Sequence, residues 1–284
     1  MVATVNYGST ELLVRHLPDL RDIAAQTIVV DNYFSHEERL NAQRACATHG
    51  WKLIESNKNL GFGAAANLAV DEAFAAGASL VLLLNPDARI DSSALERLTA
   101  RAESMEIVSP RILQSDGTVW FDGAALNRVT GIARHSHRLN KTTTPDWLTG
   151  ACLLIPREAW DRLGGFDASF FLYWEDVDLS VRARAMGIRL RIDQEVVAYH
   201  DAGGTQEGDG KSPTYVRYIF RNRRLVGRRF GAPVRLLWLL STPYYAALMA
   251  RVIGVRKFLG DEGAAHRRAL WLGLTERLPR PART

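Results

Sequence analysis

Leu80-Val81-Leu82-Leu83-Leu84-Asn85-Pro86-Asp87 is the stretch that decides the fold. Five aliphatic residues without alternation match a strand covered on both faces, and Asn-Pro-Asp ends it sharply. Such a strand needs parallel neighbours, and the preceding sequence supplies them. Val2 to Tyr7 reads as a buried strand, followed by a helix from Ser9 to about Leu20. Thr27-Ile28-Val29-Val30 is a second strand ending in Asp31-Asn32, and Ser35-His36-Glu37-Glu38 is a capping box for the next helix. Leu53-Ile54 is a short third strand, and beyond the turn-rich residues 57–63 an Ala-rich helix runs from Ala64 to about Ala76. Ser93-Ala94-Leu95-Glu96 caps a further helix. This alternation predicts an α/β fold, a Rossmann-like, mostly parallel mixed sheet flanked by helices. Ligands of such sheets bind beyond the carboxyl ends of the strands, where Asp31, the 59–63 loop and Asp87 all fall.

Downstream the pattern changes. Ile107-Val108 and Val119-Trp120-Phe121 flank a hairpin turn at Ser115-Asp116-Gly117. Residues 128–145 are polar and Thr-rich and read as a loop; His135 and His137 within it form a His-x-His pair without further ligands. Residues 147–156 read as a strand whose Gly150-Ala151 centre allows close approach to the backbone. Then comes Phe170-Phe171-Leu172-Tyr173-Trp174-Glu175-Asp176-Val177-Asp178-Leu179-Ser180-Val181-Arg182. Aromatic residues lead straight into carboxylates at a helix start, where unpaired N–H groups and the dipole favour ionised acids. Val177, Val181 and Ala185 are expected on the buried face, Asp178 pairs with Arg182, and Gly187 ends the helix. Asp176 reads as a carboxylate at the lip of an aromatic pocket, suited to taking a proton from a sugar hydroxyl. Residues 188–192 and 196–199 read as two short strands ending at His200, and 201–212 as a Gly-rich lid.

The rest is helical and basic. A helix is expected from Thr214 to Phe230, and residues 234–254 are apolar but interrupted by Arg235, Pro243 and Arg251. The longest clean run, 236–250, is shorter than the roughly 20 residues that span a bilayer. It reads either as a buried helix pair or as a helix in the membrane interface, flanked by Arg256 and Lys257. The division is therefore 1–212 for ligand binding and catalysis and 213–284 for contact with a membrane surface or a second copy. At 284 residues, 47% hydrophobic, 24% charged and net charge +5, the chain is of ordinary globular type. No nucleic-acid motif accompanies the positive charge, so nucleic acid is not expected as a partner. Cys46 and Cys152 lack metal spacing and suit a reduced cytoplasmic setting, and with a strand beginning near Met1 no leader is expected.

Asp31-Asn32, Asn85-Pro86-Asp87, Trp174-Glu175-Asp176 and Tyr199-His200, in that order, resemble the inverting glycosyltransferases of family 2, with the GT-A fold and closest to rhamnosyltransferase-like members of cell-surface polysaccharide synthesis. The resemblance covers nearly the whole chain. It implies a GT-A domain with a C-terminal helical extension, and the short apolar run flanked by basic residues in that extension adds the cytoplasmic face of the inner membrane, or a homodimer contact, as the expected setting. It implies a nucleotide-diphosphate sugar as donor and a saccharide or lipid-linked acceptor. Asn6, Tyr7 and Asp31 match the base and ribose positions, and Asn59, Gly61 and Asn67 the adjoining loop. Asn85 and Asp87 match the metal-holding motif, with one acid where two are usual, and His200 a residue that completes the shell of Mg²⁺ or Mn²⁺. Trp147, Thr149, Gly150 and Trp174 match positions beside the donor sugar and acceptor. Asp176 takes the place of the catalytic base, with Glu175 beside it. Tyr33 and Phe34 replace the family's usual Gly-Ser after Asp-Asn. Two alternatives stay open on the residues alone. A sugar-1-phosphate nucleotidyltransferase would want a basic phosphate loop after the first strand, which Tyr7-Gly8-Ser9-Thr10 lacks; the other is an inactive binding protein of the same fold.

Overall fold

The apolar run forms β4 (Leu80–Leu84), well inside the main sheet, where both of its faces are covered. The computed structural model describes residues 1–20, 26–135, 144–200, 212–260 and 263–279. Among these, the strand order is β3 (Lys52–Glu55), β2 (Thr27–Asp31), β1 (Val2–Asn6), β4, β10 (Cys152–Pro156), β6 (Glu106–Leu113), β11 (Arg189–His200) and β5 (Ala88–Arg89). The first four run parallel, β10 enters antiparallel between β4 and β6, and β11 is again parallel to β6. β5 pairs antiparallel with the end of β11 and sets His200 opposite Ala88, one residue after Asp87. β7 (Val119–Phe121) pairs with β6, confirming the hairpin at Gly117, and β8 (Ala124–Asn127) with β9 (Ile132–His135) makes a separate ribbon.

The parallel half is wound with α1 (Thr10–His16), α2 (His36–His49), α3 (Phe62–Ala75) and α4 (Ser92–Ala100). α1 is shorter than expected: Pro18 has no N–H for the helical ladder, and Pro18–Leu20 tightens into a 3₁₀ turn. Only half of the expected capping box forms. Ser35 accepts from Glu38 N, but the Glu38 carboxylate turns to Thr10 N at 2.8 Å. The cap of α4 is Asp91, whose carboxylate accepts from Ala94 N, and not Ser93.

In the second half, α5 (Arg157–Leu163) and α6 (Glu175–Ala185) flank β10 and β11. The loop expected over 128–145 is in part the β8–β9 ribbon. Asn127 Oδ1 caps its turn by accepting from Val129 N and Thr130 N, both at 2.9 Å. His137 and residues 201–211 of the expected lid lie outside the described residues. The strand expected over 147–156 begins only at Cys152, because the Leu148 and Gly150 N–H groups go to side chains of α6. Conversely, the two strands expected over 188–199 are one, β11, continuous through a bulge between Asp193 and Val197. The buried face of α6 also differs from expectation. Asp178 and Arg182 are buried and Ala185 is exposed, because the Asp178–Arg182 pair is completed by Arg229, just past the end of α7 (Pro213–Gly227).

Helices α8 (Ala232–Leu240), α9 (Thr242–Ile253), α10 (Val255–Leu259) and α11 (Ala264–Thr275) follow, with Pro243 in the first turn of α9. α8 buries Trp238 and leaves Leu236, Leu237, Leu239 and Leu240 exposed, so it is not half of a buried pair. Among the described residues, no helix is long and apolar enough to cross a membrane.

Candidate active site

Three strand ends converge where the chemistry-bearing residues were expected. β4 delivers Asn85-Pro86-Asp87, and the pairing of β5 with β11 returns His200 to it. His200 Nε2 lies 3.0 Å from Asp87 Oδ1, both side chains buried, yet neither ring nitrogen completes a hydrogen bond. Asn85 Oδ1 in the same turn is also buried without a partner. A buried imidazole and carboxylate face to face, with unused lone pairs, fit a divalent cation. Among the described residues no third acid, histidine or cysteine joins them, so the remaining ligands would come from water and phosphate, as Mg²⁺ prefers. The Trp120 ring leans on His200 at 4.2 Å between centroids and continues through His135 to Trp147, whose buried Nε1 has no acceptor.

The second carboxylate centre is the start of α6. Tyr173 and Trp174 both have left-handed backbone (φ 64° and 72°), a costly conformation for aromatic residues that turns the chain abruptly into the helix. The turn is held from outside. Fully buried Asn222 of α7 donates to the carbonyls of Leu172 (2.8 Å) and Tyr173 (2.7 Å), and Arg221 donates to Ser169 O. Arg229 joins Asp167 and Asp178 at 2.6 and 2.7 Å. The strained corner therefore depends on α7.

Residues 147–151 link the two centres. Asn85 N donates to Ala151 O (2.9 Å), Gly150 N to Asp176 Oδ2 (3.2 Å), and Leu148 N to Ser180 Oγ (3.1 Å). A Cβ on Gly150 would press on Phe62 at 3.1 Å, so glycine lets the segment sit against both α3 and Asp176. One short segment thus ties the Asp87 turn to Asp176. Thr149 is buried and accepts from Ala151 N, whereas Trp147 and Trp174 are buried against other rings, Trp147 on Phe121 and His135 and Trp174 on Trp238.

On the other side, Asn6 and Asp31 are fully buried and brace the backbone. Asn6 bonds Thr10 Oγ1 and Ser9 N, while Asp31 accepts from Arg39 Nε at 2.6 Å and from Tyr33 N. Exposed surface there belongs to Tyr7 (45%), Tyr33 (39%) and Phe34 (58%), with Tyr7 and Phe34 edge to face. Asn59 caps Gly61 N and meets Asn32. At Gly61 (φ 83°) a Cβ would collide with Phe171 O at 2.0 Å, so the loop locks onto the aromatic stretch. Asn67 exchanges two hydrogen bonds with the Phe166 backbone. Residues that sequence reasoning missed are Trp120, Asn222, Arg229 and His16, whose Nδ1 meets Pro86 O at 2.9 Å. Only Trp120 carried a signal, as an aromatic residue in the hairpin strand paired with β6.

Charge separates the two acids of α6. Burial pushes the Glu175 carboxyl up to about 8, reinforced by its neighbour, and Oε2 has no partner, so this acid is neutral at pH 7. Burial also pushes Asp176 up, to about 6, but the Gly150 and Val177 N–H groups offset part of that by stabilising its charge. Asp176 is therefore the ionised member, with a proton affinity near that of an efficient base. A carboxyl raised in the fold contributes stability below its unfolded value of about 4.3 and loses it as pH rises through the folded one. Glu175→Gln is accordingly expected to flatten the fall in melting temperature between pH 5 and pH 8 relative to wild type. Parallel melting curves for the two proteins would count against a buried, protonated Glu175.

This sheet, with its helices and strand-end acids, is the architecture of the GT-A glycosyltransferases. GalNAc-T7, solved with UDP, GalNAc and Mn²⁺, superposes with a TM-score of 0.61 at 16% identity, over 94% of this chain and 54% of that one. The mannosyltransferase PcManGT from Pyrobaculum calidifontis, in complex with GDP-Man and Mn²⁺, gives 0.56 at 14% identity, over 96% and 83%. The chain belongs to the family described as Glycosyltransferase like family 2, matched over residues 2–223. Among its relatives, the low-salt glycan biosynthesis hexosyltransferase Agl10 of Haloferax volcanii is 28% identical, over 79% of this chain and 74% of its own length. The N-acetylglucosaminyl-diphospho-decaprenol L-rhamnosyltransferase of Mycobacterium tuberculosis is also 28% identical, over 54% of this chain and 60% of its own length.

Proposed function

We propose that this family 2 glycosyltransferase is an inverting, metal-dependent enzyme that moves a hexose from a nucleotide-diphosphate donor to a saccharide or lipid-linked acceptor. Rhamnose is the sugar that the Mycobacterium relative's name favours. The observation that carries the reading is the 147–151 segment, bonded to the Asp87 turn at one end and to Asp176 at the other. On this reading the two acids it ties together serve the two ends of an in-line displacement at an anomeric carbon.

Asp176 accepts the proton of the acceptor hydroxyl as that oxygen attacks, and the Gly150 and Val177 amides hold the carboxylate in place. Glu175, protonated beside it, keeps the pair at a single negative charge. Asp87 and His200 would hold Mg²⁺ or Mn²⁺, which when bound neutralises charge on the leaving diphosphate. Tyr7, Tyr33 and Phe34 offer rings for the nucleotide base. Residues 1–212 are proposed as the donor-binding and catalytic part. Residues 213–284 are proposed as the part that meets the cytoplasmic face of the inner membrane, with a homodimer contact as the other use of the same apolar surface. α7 joins the two.

Incubation with a panel of nucleotide sugars, followed by NMR of the products, tests the reaction. The expected result is slow, Mn²⁺-dependent sugar release whose first-formed anomer is inverted relative to the donor. Retained configuration would refute the mechanism. Pyrophosphate-dependent turnover would point to a nucleotidyltransferase, and absence of any turnover to an inactive binding protein.

A further inference from the structure

Between α7, α8 and the segment after α11 lies a cavity of about 210 Å³, well away from the donor side and far larger than the about 10–15 Å³ that one water needs. Arg223, Arg224, Arg228 and Arg235 line it, together with Trp238 and Leu239, and no acid is among its described lining residues. Nearby acids are already engaged: Glu276 with Arg217 and Arg221, Asp167 and Asp178 with Arg229. Arg223 is buried against the carbonyls of Gly131, Thr130 and Trp238, the hydroxyls of Ser241 and Thr242, and the rings of Trp238 and Tyr245, and among the described residues no carboxylate pairs with it. Among the described residues, Arg224 and Arg228 likewise donate to carbonyls, of Gly273, Glu276 and Pro279. Burial lowers the proton affinity of Arg223 to about 10, and burial with Arg228 and Arg221 nearby lowers that of Arg224, with Glu276 offsetting only part of it, so positive charge there is under-compensated.

Two further features say what would compensate that charge. Along α8 from the cavity, Leu236, Leu239 and Leu240 are exposed, followed by Tyr244 on α9. An anion at the end of an apolar chain would satisfy both surfaces, whereas the phosphates of a nucleic acid would leave the leucines in water. On the inner side, the Trp238 wall touches Trp174 at 6.1 Å between ring centroids, and Trp174 directly precedes the Glu175–Asp176 pair. The cavity is one layer of rings away from the catalytic corner.

We infer that this cavity binds the phosphate of a lipid-linked acceptor, with the lipid chain along α8 and α9 and the sugar hydroxyl directed past Trp174 toward Asp176. The inference rests on the glycosyl transfer proposed above and specifies its acceptor as a lipid phosphate or diphosphate.

Farnesyl diphosphate serves as probe, titrated into the full chain in EDTA, with inorganic diphosphate and farnesol as comparisons. Arg228→Gln and Arg235→Gln alter exposed side chains, so folding should survive. Farnesyl diphosphate is expected to bind more tightly than either fragment, and each variant to weaken it on the order of tenfold, the loss of one charge-assisted hydrogen bond. Affinity for nucleoside diphosphate with Mn²⁺ should not change. Equal binding of inorganic and farnesyl diphosphate would reduce the cavity to a free-phosphate site and overturn the inference. So would variants that lose only binding to phosphatidylglycerol vesicles, which would mark a bulk-lipid contact. The two readings fail separately. Cleavage of a nucleotide sugar without farnesyl diphosphate binding sinks the acceptor site alone. Arginine-dependent binding without cleavage of any nucleotide sugar sinks the transferase mechanism and leaves the lipid-phosphate site standing.

Discussion

Asp176→Asn is expected to lower glycosyl transfer by about 10² to 10⁴-fold, or about 2.7–5.4 kcal/mol in the barrier, while donor affinity stays within about twofold. Asparagine has nearly the same shape, and its oxygen can still accept from one of the two amides that now hold the carboxylate. Its NH₂ then faces the other amide, so a stability loss of about 1 kcal/mol accompanies the change. Proton acceptance disappears altogether. Glu175→Gln should cost much less activity, because Glu175 is already neutral and has no partner at Oε2 to lose. Transfer rate measured beside donor affinity for both variants separates the roles. More than about a tenth of wild-type turnover in Asp176→Asn, or a greater loss in Glu175→Gln, would remove Asp176 as the base. The wild-type rate should also rise with pH through about 6, where Asp176 gives up its proton, and that step should vanish from the residual rate of Asp176→Asn.

The parallel half of the fold was legible because its signals are local. Leu80 to Leu84 needs no partner to be read as a doubly covered strand, and its bounds are those of β4. The strand-end position of Asp87 follows from the same run, and the place of Asp176 at a helix start follows from the polar and apolar spacing after it. What escaped depends on residues far apart in sequence. Nothing near Val177, Val181 and Ala185 announces that Arg229, 51 positions after Asp178, turns the charged side of α6 inward. The Tyr173–Trp174 strain is likewise invisible without Asn222, which lies 49 positions from Tyr173. The β8–β9 ribbon was missed for a different reason. Its strands are four residues each, and a polar, basic composition overrode the one clear turn signal at Asn127. Asn6, Asn59 and Asn67 came from the family resemblance, and their hydrogen bonds to backbone groups could not be read from the sequence.

Asp87→Ala should weaken Mn²⁺-dependent binding of a nucleoside diphosphate by about 100-fold or more, with no change in EDTA. Asp87 is the only acid of its turn, and among the described residues no other acid stands with His200 to replace it. His200→Ala should cost less, roughly tenfold, because it leaves the carboxylate, the stronger ligand for a hard cation, and opens room for water. A second difference follows from packing. His200 carries the Trp120 ring at 4.2 Å, so its removal leaves a void in the aromatic layer running to Trp147, whereas loss of the smaller Asp87 side chain leaves that layer in place. His200→Ala is therefore expected to lower the melting temperature and Asp87→Ala to leave it nearly unchanged or raise it, since a buried carboxylate without metal is costly. Titration calorimetry with Mn²⁺ and in EDTA, paired with thermal melts, distinguishes the two variants. If Asp87→Ala keeps wild-type affinity in Mn²⁺, the metal is held elsewhere and the strand-end pair is structural.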